Sequence, residues 1–250
     1  MPKNPETPEA RIALQPGFQW DACPAYLFDI DGTLLRSRDR IHYNAFAEGV
    51  RRATGFELSL EGVALAGNTD TAILREACHQ AGLPDSFLEQ HAEAILSAMT
   101  ESVARHRSAL DLVLMPGVEA ALAHLAHRKA LLGVATGNLE AIGWIKLEHA
   151  GLREWFRFGG FSDHFFVRSE MVGHAAAKAR EMLGQPQAAV CVVGDTPRDI
   201  AAAHANQLPV IAVATGHYSF DELAALDPEV CASSLADLLA QTQPAQEQRP

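Results

Sequence analysis

The sequence predicts an α/β fold, a doubly wound parallel sheet with an α-helical domain inserted near its start. Three observations carry this reading: short continuous apolar runs, helical patterns that alternate with them, and one long helical stretch after the first run.

The first run is Ala25–Phe28, which ends in an acid, and the second is Leu131–Ala135 (LLGVA), followed by Thr-Gly-Asn. Residues 190–193 lead into Gly-Asp-Thr-Pro and residues 210–214 into Thr-Gly-His. Runs without polar alternation suit central parallel strands that are buried on both faces. Each ends in small or polar residues, and open parallel sheets bind ligands beyond the C-terminal ends of their strands. Helical patterns over 118–129, 139–150, 170–183 and 196–205 separate the runs; the first follows Pro116-Gly117 and carries Val118, Leu122 and Leu125 on one face.

The connection after the first run is different. Residues 36–115 are helical in character over 42–54, 68–81 and 85–106, and a structureless loop of that length is implausible. The expected division is a core domain over 24–35 and 116–241 and a helical domain over 36–115, lying over the C-terminal end of the first strand. Residues 1–23 read as a loose arm and 242–250 as a Gln/Pro tail.

Composition excludes several classes of function. The formal charge is −11 and no Lys/Arg cluster stands out, so a nucleic-acid groove is not expected. No apolar run approaches membrane-spanning length and the N-terminal residues contain no apolar signal core, so the expectation is a cytoplasmic protein. Cys23, Cys78, Cys191 and Cys231 are scattered without metal-type spacing and read as reduced, mostly buried thiols. The eleven histidines form no HxxxH or HExxH pattern and read as surface or structural.

The chemistry concentrates at strand ends. Phe28-Asp29-Ile30-Asp31-Gly32-Thr33 closes the first strand. Carboxylates at i and i+2 share one side of an extended chain, and Gly32 allows an immediate turn, so both can converge on one metal ion. Hard oxygen ligands of this kind favour magnesium. Val193-Gly194-Asp195-Thr196-Pro197-Arg198-Asp199 closes the third strand: Asp195 can complete the metal site and Asp199, one helical turn on, can support it. A plain helix start, with Asp195 as N-cap, explains the same residues. Clustered acids repel one another without a cation, which argues for the metal.

The strand followed by DxDGT, with the GD motif downstream, resembles the haloacid dehalogenase superfamily over nearly the whole chain between the tails. The resemblance implies a Rossmann-like core with a helical cap, with Asp29 attacking phosphorus to form an aspartyl-phosphate. Asp31 then serves as acid and later as base, and Thr33 helps to fix the loop. Asp29, Asp31, Asp195 and Asp199 form the expected Mg²⁺ set. Dehalogenases of the superfamily lack the acid at the second position, so Asp31 favours phosphate chemistry. Thr136, Gly137 and Asn138 fit a phosphoryl oxygen through a hydroxyl and the N–H groups of a helix start, although a turn that caps the helix is the plainer explanation.

The family places a basic residue upstream of the GD motif, often as Lys-Pro; here the place is held by Arg168-Ser169-Glu170. Arg168 is expected to be the main phosphate contact. Lys146 is the other candidate, eight residues past Asn138 and so about 12 Å along a helix; Lys178 reads as a solvated residue. Leu65-Ala66-Gly67-Asn68-Thr69-Asp70 resembles the cap segment of phosphoglycolate-phosphatase-like members. Its backbone and Thr69 can line the pocket, or it can be a loop and N-cap outside the site. His42, Tyr43 and Arg75 are similarly placed without a specific signal.

The expected function is hydrolysis of a small phosphorylated metabolite. A phosphomutase with the same nucleophile and a non-catalytic binding module are the rivals. A phosphonate hydrolase needs a cap lysine, and residues 36–115 contain none.

Overall fold

The computed structural model describes residues 10–241; the expected tail and the first nine residues of the expected arm lie outside them. The sheet has the order β1-β9-β8-β7-β2-β5-β6. Its strands are β1 (Ile12–Leu14), β2 (Ala25–Phe28), β5 (Leu131–Ala135), β6 (Phe158–Gly160), β7 (Val190–Gly194), β8 (Val210–Val213) and β9 (Val230–Ala232). All neighbours pair in parallel except β1, which runs antiparallel to β9. Connections lead outward from β2 in both directions, through β5 to β6 and through β7 to β9. The switch point therefore lies at the C-terminal end of β2.

Alternation along the central strands builds two cores. Tyr26 and Phe28 of β2 point to one face, with Leu132 and Val134 of β5. That face is covered by Val118, Leu122 and Leu125 of α4 (Val118–His127) and by Leu238 of α9 (Leu235–Ala240). Ala25 and Leu27 point the other way, toward Met171, Val172 and Ala175 of α6 (Arg168–Leu183) and Ile200 of α7 (Pro197–Ala205). Both faces are dry, which is why these strands read as unbroken apolar runs.

The inserted helices are α1 (Ile41–Thr54), α2 (Asp70–Gln80) and α3 (Asp85–Arg105). They form a third core with Phe46, Val50, Leu74, Ile95 and Met99. Leu139 and Ile142, at the start of α5 (Glu140–His149), belong to that core too, so the insert is packed onto the helix that follows β5. The ends of the insertion are clasped by β3 (Leu35–Ser37) and β4 (Leu112–Leu114), an antiparallel pair outside the main sheet. The expected boundary after residue 35 falls inside this pair.

The N-terminal segment corrects the expectation of a loose arm from residue 10 onward. Ile12–Leu14 pair with Val230–Ala232 and cover the edge of β9. Trp20 and Cys23 are buried, and Trp20 stacks on His124. All four cysteines are buried and unpaired, as expected. No helix among the described residues is long and apolar enough to cross a membrane.

Candidate active site

Asp29 follows β2 directly and extends its ladder, donating its N–H to the Val193 carbonyl at 2.8 Å. Ile30 then turns into the core while Asp31 faces the cleft. Gly32 has φ +93°, and a Cβ there would lie 2.3 Å from Asp195 Oδ2. The glycine is thus required both for the turn and for the approach of the two loops. The Thr33 hydroxyl donates to Asp195 Oδ1 at 2.9 Å, tying the first motif to the third.

Carboxylate oxygens of Asp29, Asp195 and Asp199 lie within 4.8 Å of one another, and all three residues are buried. The N-cap of α7 is Thr196 and not Asp195: the Thr196 hydroxyl and N–H both donate to Asp199 Oδ2, in a capping box. That leaves Asp195 to the cluster. Asp199 Oδ1 accepts from Arg168 Nη2 at 2.5 Å, and the same nitrogen lies 2.9 Å from Asp29 Oδ1.

One guanidinium does not balance three buried carboxylates. Burial pushes the Asp29 carboxyl up to about 6, with Arg168 opposing it and Asp199 and Asp31 adding to it. Burial likewise pushes Asp195 up to about 8, helped by Asp29 and Asp199. An all-oxygen donor set carrying excess negative charge fits a hard divalent cation. Asp31, expected in the metal set, is outside this cluster; its carboxylate is engaged elsewhere.

Asp31 Oδ2 accepts from Lys146 Nζ at 2.6 Å and from Asn138 Nδ2 at 2.8 Å. Burial raises the Asp31 carboxyl, but Lys146, His42 and Asn138 together outweigh it and hold it below the ordinary value. The side chain is still 41 % exposed toward the cleft, so water screens part of that attraction. Asn138 Nδ2 also donates to the Thr136 hydroxyl at 2.7 Å, and its Oδ1 accepts from Lys146 Nζ at 2.7 Å. Lys146 is buried and reaches the site in full, contrary to the reach expected from its place on the helix. Asn138 lies before the helix and turns its own side chain back toward α5, so two side chains share the gap.

The sequence profile of haloacid dehalogenase-like hydrolases matches residues 23–206. The chain belongs to this family. It is 28 % identical over 232 residues to a phosphoglycolate phosphatase of Yersinia pseudotuberculosis, covering 85 % of this chain and 90 % of the relative. Among solved structures, a predicted phosphoglycolate phosphatase of Haemophilus somnus superposes with a TM-score of 0.63 at 21 % identity, over 88 % of this chain and 98 % of that one. A β-phosphoglucomutase of Clostridium difficile gives 0.58 at 16 % identity, over 81 % and 87 %, a likeness of fold. The family match and these curated relatives support an enzyme of the phosphatase class.

The helical insert of this hydrolase completes the cleft, which encloses about 600 Å³. The Asn68–Asp70 segment sits on Gly137, where a Cβ would fall 2.1 Å from the Asn68 carbonyl oxygen. Asp70 N–H donates to the Gly137 carbonyl, and Asp70 Oδ2 accepts from Leu139 N–H at 2.9 Å. Asp163 takes the Glu140 N–H at 2.7 Å. The N–H groups of Leu139 and Glu140, at the start of α5, are thus capped by distant acids. The Gly67 carbonyl accepts from Arg168 Nη1 at 3.1 Å, while Thr69 turns to the Phe166 carbonyl. The segment is therefore a wall of the site.

His42, placed near the pocket segment by the sequence without a specific signal, lines the cleft between Asp70 and Lys146. Sequence reasoning missed Gly216 and His217, which line it from beyond β8. Tyr43 lines the cleft and stacks under Arg40. Arg75 lies over the Phe166 ring, and Lys178 is exposed as expected.

Proposed function

We propose that the chain is a Mg²⁺-dependent hydrolase of small phosphate monoesters that works through an aspartyl-phosphate on Asp29. The observation that carries the reading is the convergence of Asp29, Asp31 and Asp195 from two strand ends on one cleft, with Arg168 against Asp29.

A divalent cation held by Asp29, Asp195 and Asp199 would neutralise their charge and that of the phosphoryl oxygens. The chain's own groups do the rest. Asp29, a buried carboxylate steadied through Oδ1 by Arg168, attacks phosphorus and splits the hydrolysis into two easier steps. The leaving oxygen takes its proton from Asp31. Lys146 and His42 hold the Asp31 carboxyl below its ordinary value in the free site, and the charge of a bound ester opposes them, so Asp31 takes up the proton it donates only as the ester binds. In the second step Asp31, now a carboxylate, removes a proton from the water that attacks the acyl phosphate. The Thr136 hydroxyl accepts from Asn138, so its own hydrogen is oriented for a phosphoryl oxygen. Arg168 Nε is buried without a hydrogen-bond partner, a spare donor on the side chain that holds Asp29.

A cleft walled by the insert supports a small substrate. The test is release of inorganic phosphate from a panel of phosphorylated metabolites, 2-phosphoglycolate among them, with magnesium and with excess chelator. Phosphate released only with the metal supports the reading. Isomer formation without phosphate release points to the mutase, and full activity in chelator removes the metal.

A further inference from the structure

Four side chains form a continuous hydrogen-bonded line across the boundary between insert and core. Asp70 Oδ2 lies 3.0 Å from His42 Nε2, His42 Nδ1 lies 3.0 Å from Lys146 Nζ, and Lys146 Nζ lies 2.6 Å from Asp31 Oδ2. Asp70 and His42 belong to α2 and α1 of the insert; Lys146 belongs to α5 of the core.

The chemistry of the groups fixes the direction of the line. An ammonium has three donors and no acceptor, so His42 Nδ1 must accept from it. The proton of a neutral imidazole then sits on Nε2 and points at the Asp70 carboxylate, which selects that tautomer. The His42 ring is further held by stacking on Phe46, with centroids 5.5 Å apart. Asp70 is anchored by the Leu139 N–H at 2.9 Å and cannot follow a moving ring.

All three donors of Lys146 are occupied, by Asp31 Oδ2, Asn138 Oδ1 and His42 Nδ1. Lys146 is 2 % exposed, so it cannot exchange a lost partner freely for water. Its direction therefore depends on His42, and the carboxylate it grips is Asp31.

We propose that His42, oriented by Asp70, is a positioning residue: through Lys146 it holds Asp31 in line with the leaving oxygen whenever the insert is seated on the core. The inference rests on the phosphatase reading and adds to it that the acid is set by the insert.

The readout is leaving-group dependence. An acid matters in proportion to the basicity of the oxygen it protonates. In wild type, 2,4-dinitrophenyl phosphate needs little protonation and an alkyl monoester needs it fully. kcat/KM is compared for that aryl ester and for 2-phosphoglycolate, or for whichever alkyl monoester of the panel is cleaved fastest. His42→Ala is expected to lose on the order of 10²-fold on the alkyl ester and to stay within about threefold on the aryl ester. His42→Asn, whose amide oxygen can stand where Nδ1 stood, is expected to recover most of the loss. If His42→Ala does not fold, His42→Leu keeps bulk against Phe46 without the acceptor and carries the same expectation. Equal losses on both esters, or no loss on either, overturn the inference while the phosphatase reading stands. A wild-type protein that cleaves neither ester removes that reading and the inference with it.

Discussion

Arg168 Nη2 lies 2.9 Å from Asp29 Oδ1, with both side chains more than nine-tenths buried. Lys146 is equally buried but touches Asp31 and not Asp29. Arg168 and Lys146 thus serve different carboxylates, and their loss should be distinguishable.

Arg168→Ala leaves Asp29 and Asp199 without their shared partner. Breaking a buried pair costs about 3–5 kcal/mol, so Tm should fall. KM should rise and kcat should fall together if the guanidinium meets the phosphate as proposed. Lys146→Met should lower kcat with little change in KM, by about 10²–10⁴-fold if Asp31 loses its alignment. Steady-state kinetics on the two variants at saturating magnesium checks this. A KM effect confined to Lys146→Met would reverse the assignment.

Metal binding should be visible in stability and should depend on pH. Burial raises Asp29 to about 6 and Asp195 to about 8, above their ordinary values. A raised acid binds its proton more tightly in the folded state, so the metal-free protein loses stability as pH rises from the ordinary carboxylate range through about 8. A cation relieves that cost only where the carboxylates are ionised. The gain in Tm on adding magnesium should therefore be larger near about pH 8 than near about pH 5. Equal gains by differential scanning fluorimetry at the two values would contradict a metal held by these acids.

The seat of the insert can be tested without touching a reacting group. Gly137→Ala drives a Cβ to 2.1 Å from the Asn68 carbonyl oxygen, which is backbone and has to move. The expected cost is about 1–3 kcal/mol, typical of forcing bulk into packed space. KM should rise as the wall shifts away. An unchanged Tm and KM would show that the insert is not seated on Gly137 in solution.

Much of this architecture was legible because each central strand is buried on both faces. The runs at Ala25–Phe28 and Leu131–Ala135 match the strands residue for residue. The inserted helices were legible from their amphipathic pattern, and the DxDGT loop from the glycine its turn requires. The edges of the sheet were not. Phe158–Gly160 carries two glycines and offers no apolar run, and Ile12–Leu14 becomes a strand only through pairing with residues more than 200 positions away. The link from Asp31 to Lys146 and His42 was hidden for the same reason. Its members lie 115 and 104 residues apart in sequence, and no local pattern marks a buried lysine whose partners come from other elements.

The covalent step is the centre of the account, and a quenched-flow trap of the phosphoenzyme tests it most directly. Wild type mixed with substrate and magnesium, quenched in acid and measured as intact protein, should carry one phosphoryl group that hydroxylamine removes. Peptide mapping should place it on Asp29. Asp29→Asn should show none and should lose turnover by on the order of 10⁴-fold or more, as enzymes deprived of a nucleophile do. No phosphoenzyme in wild type, or Asp29→Asn turnover within about tenfold of wild type, would contradict the account.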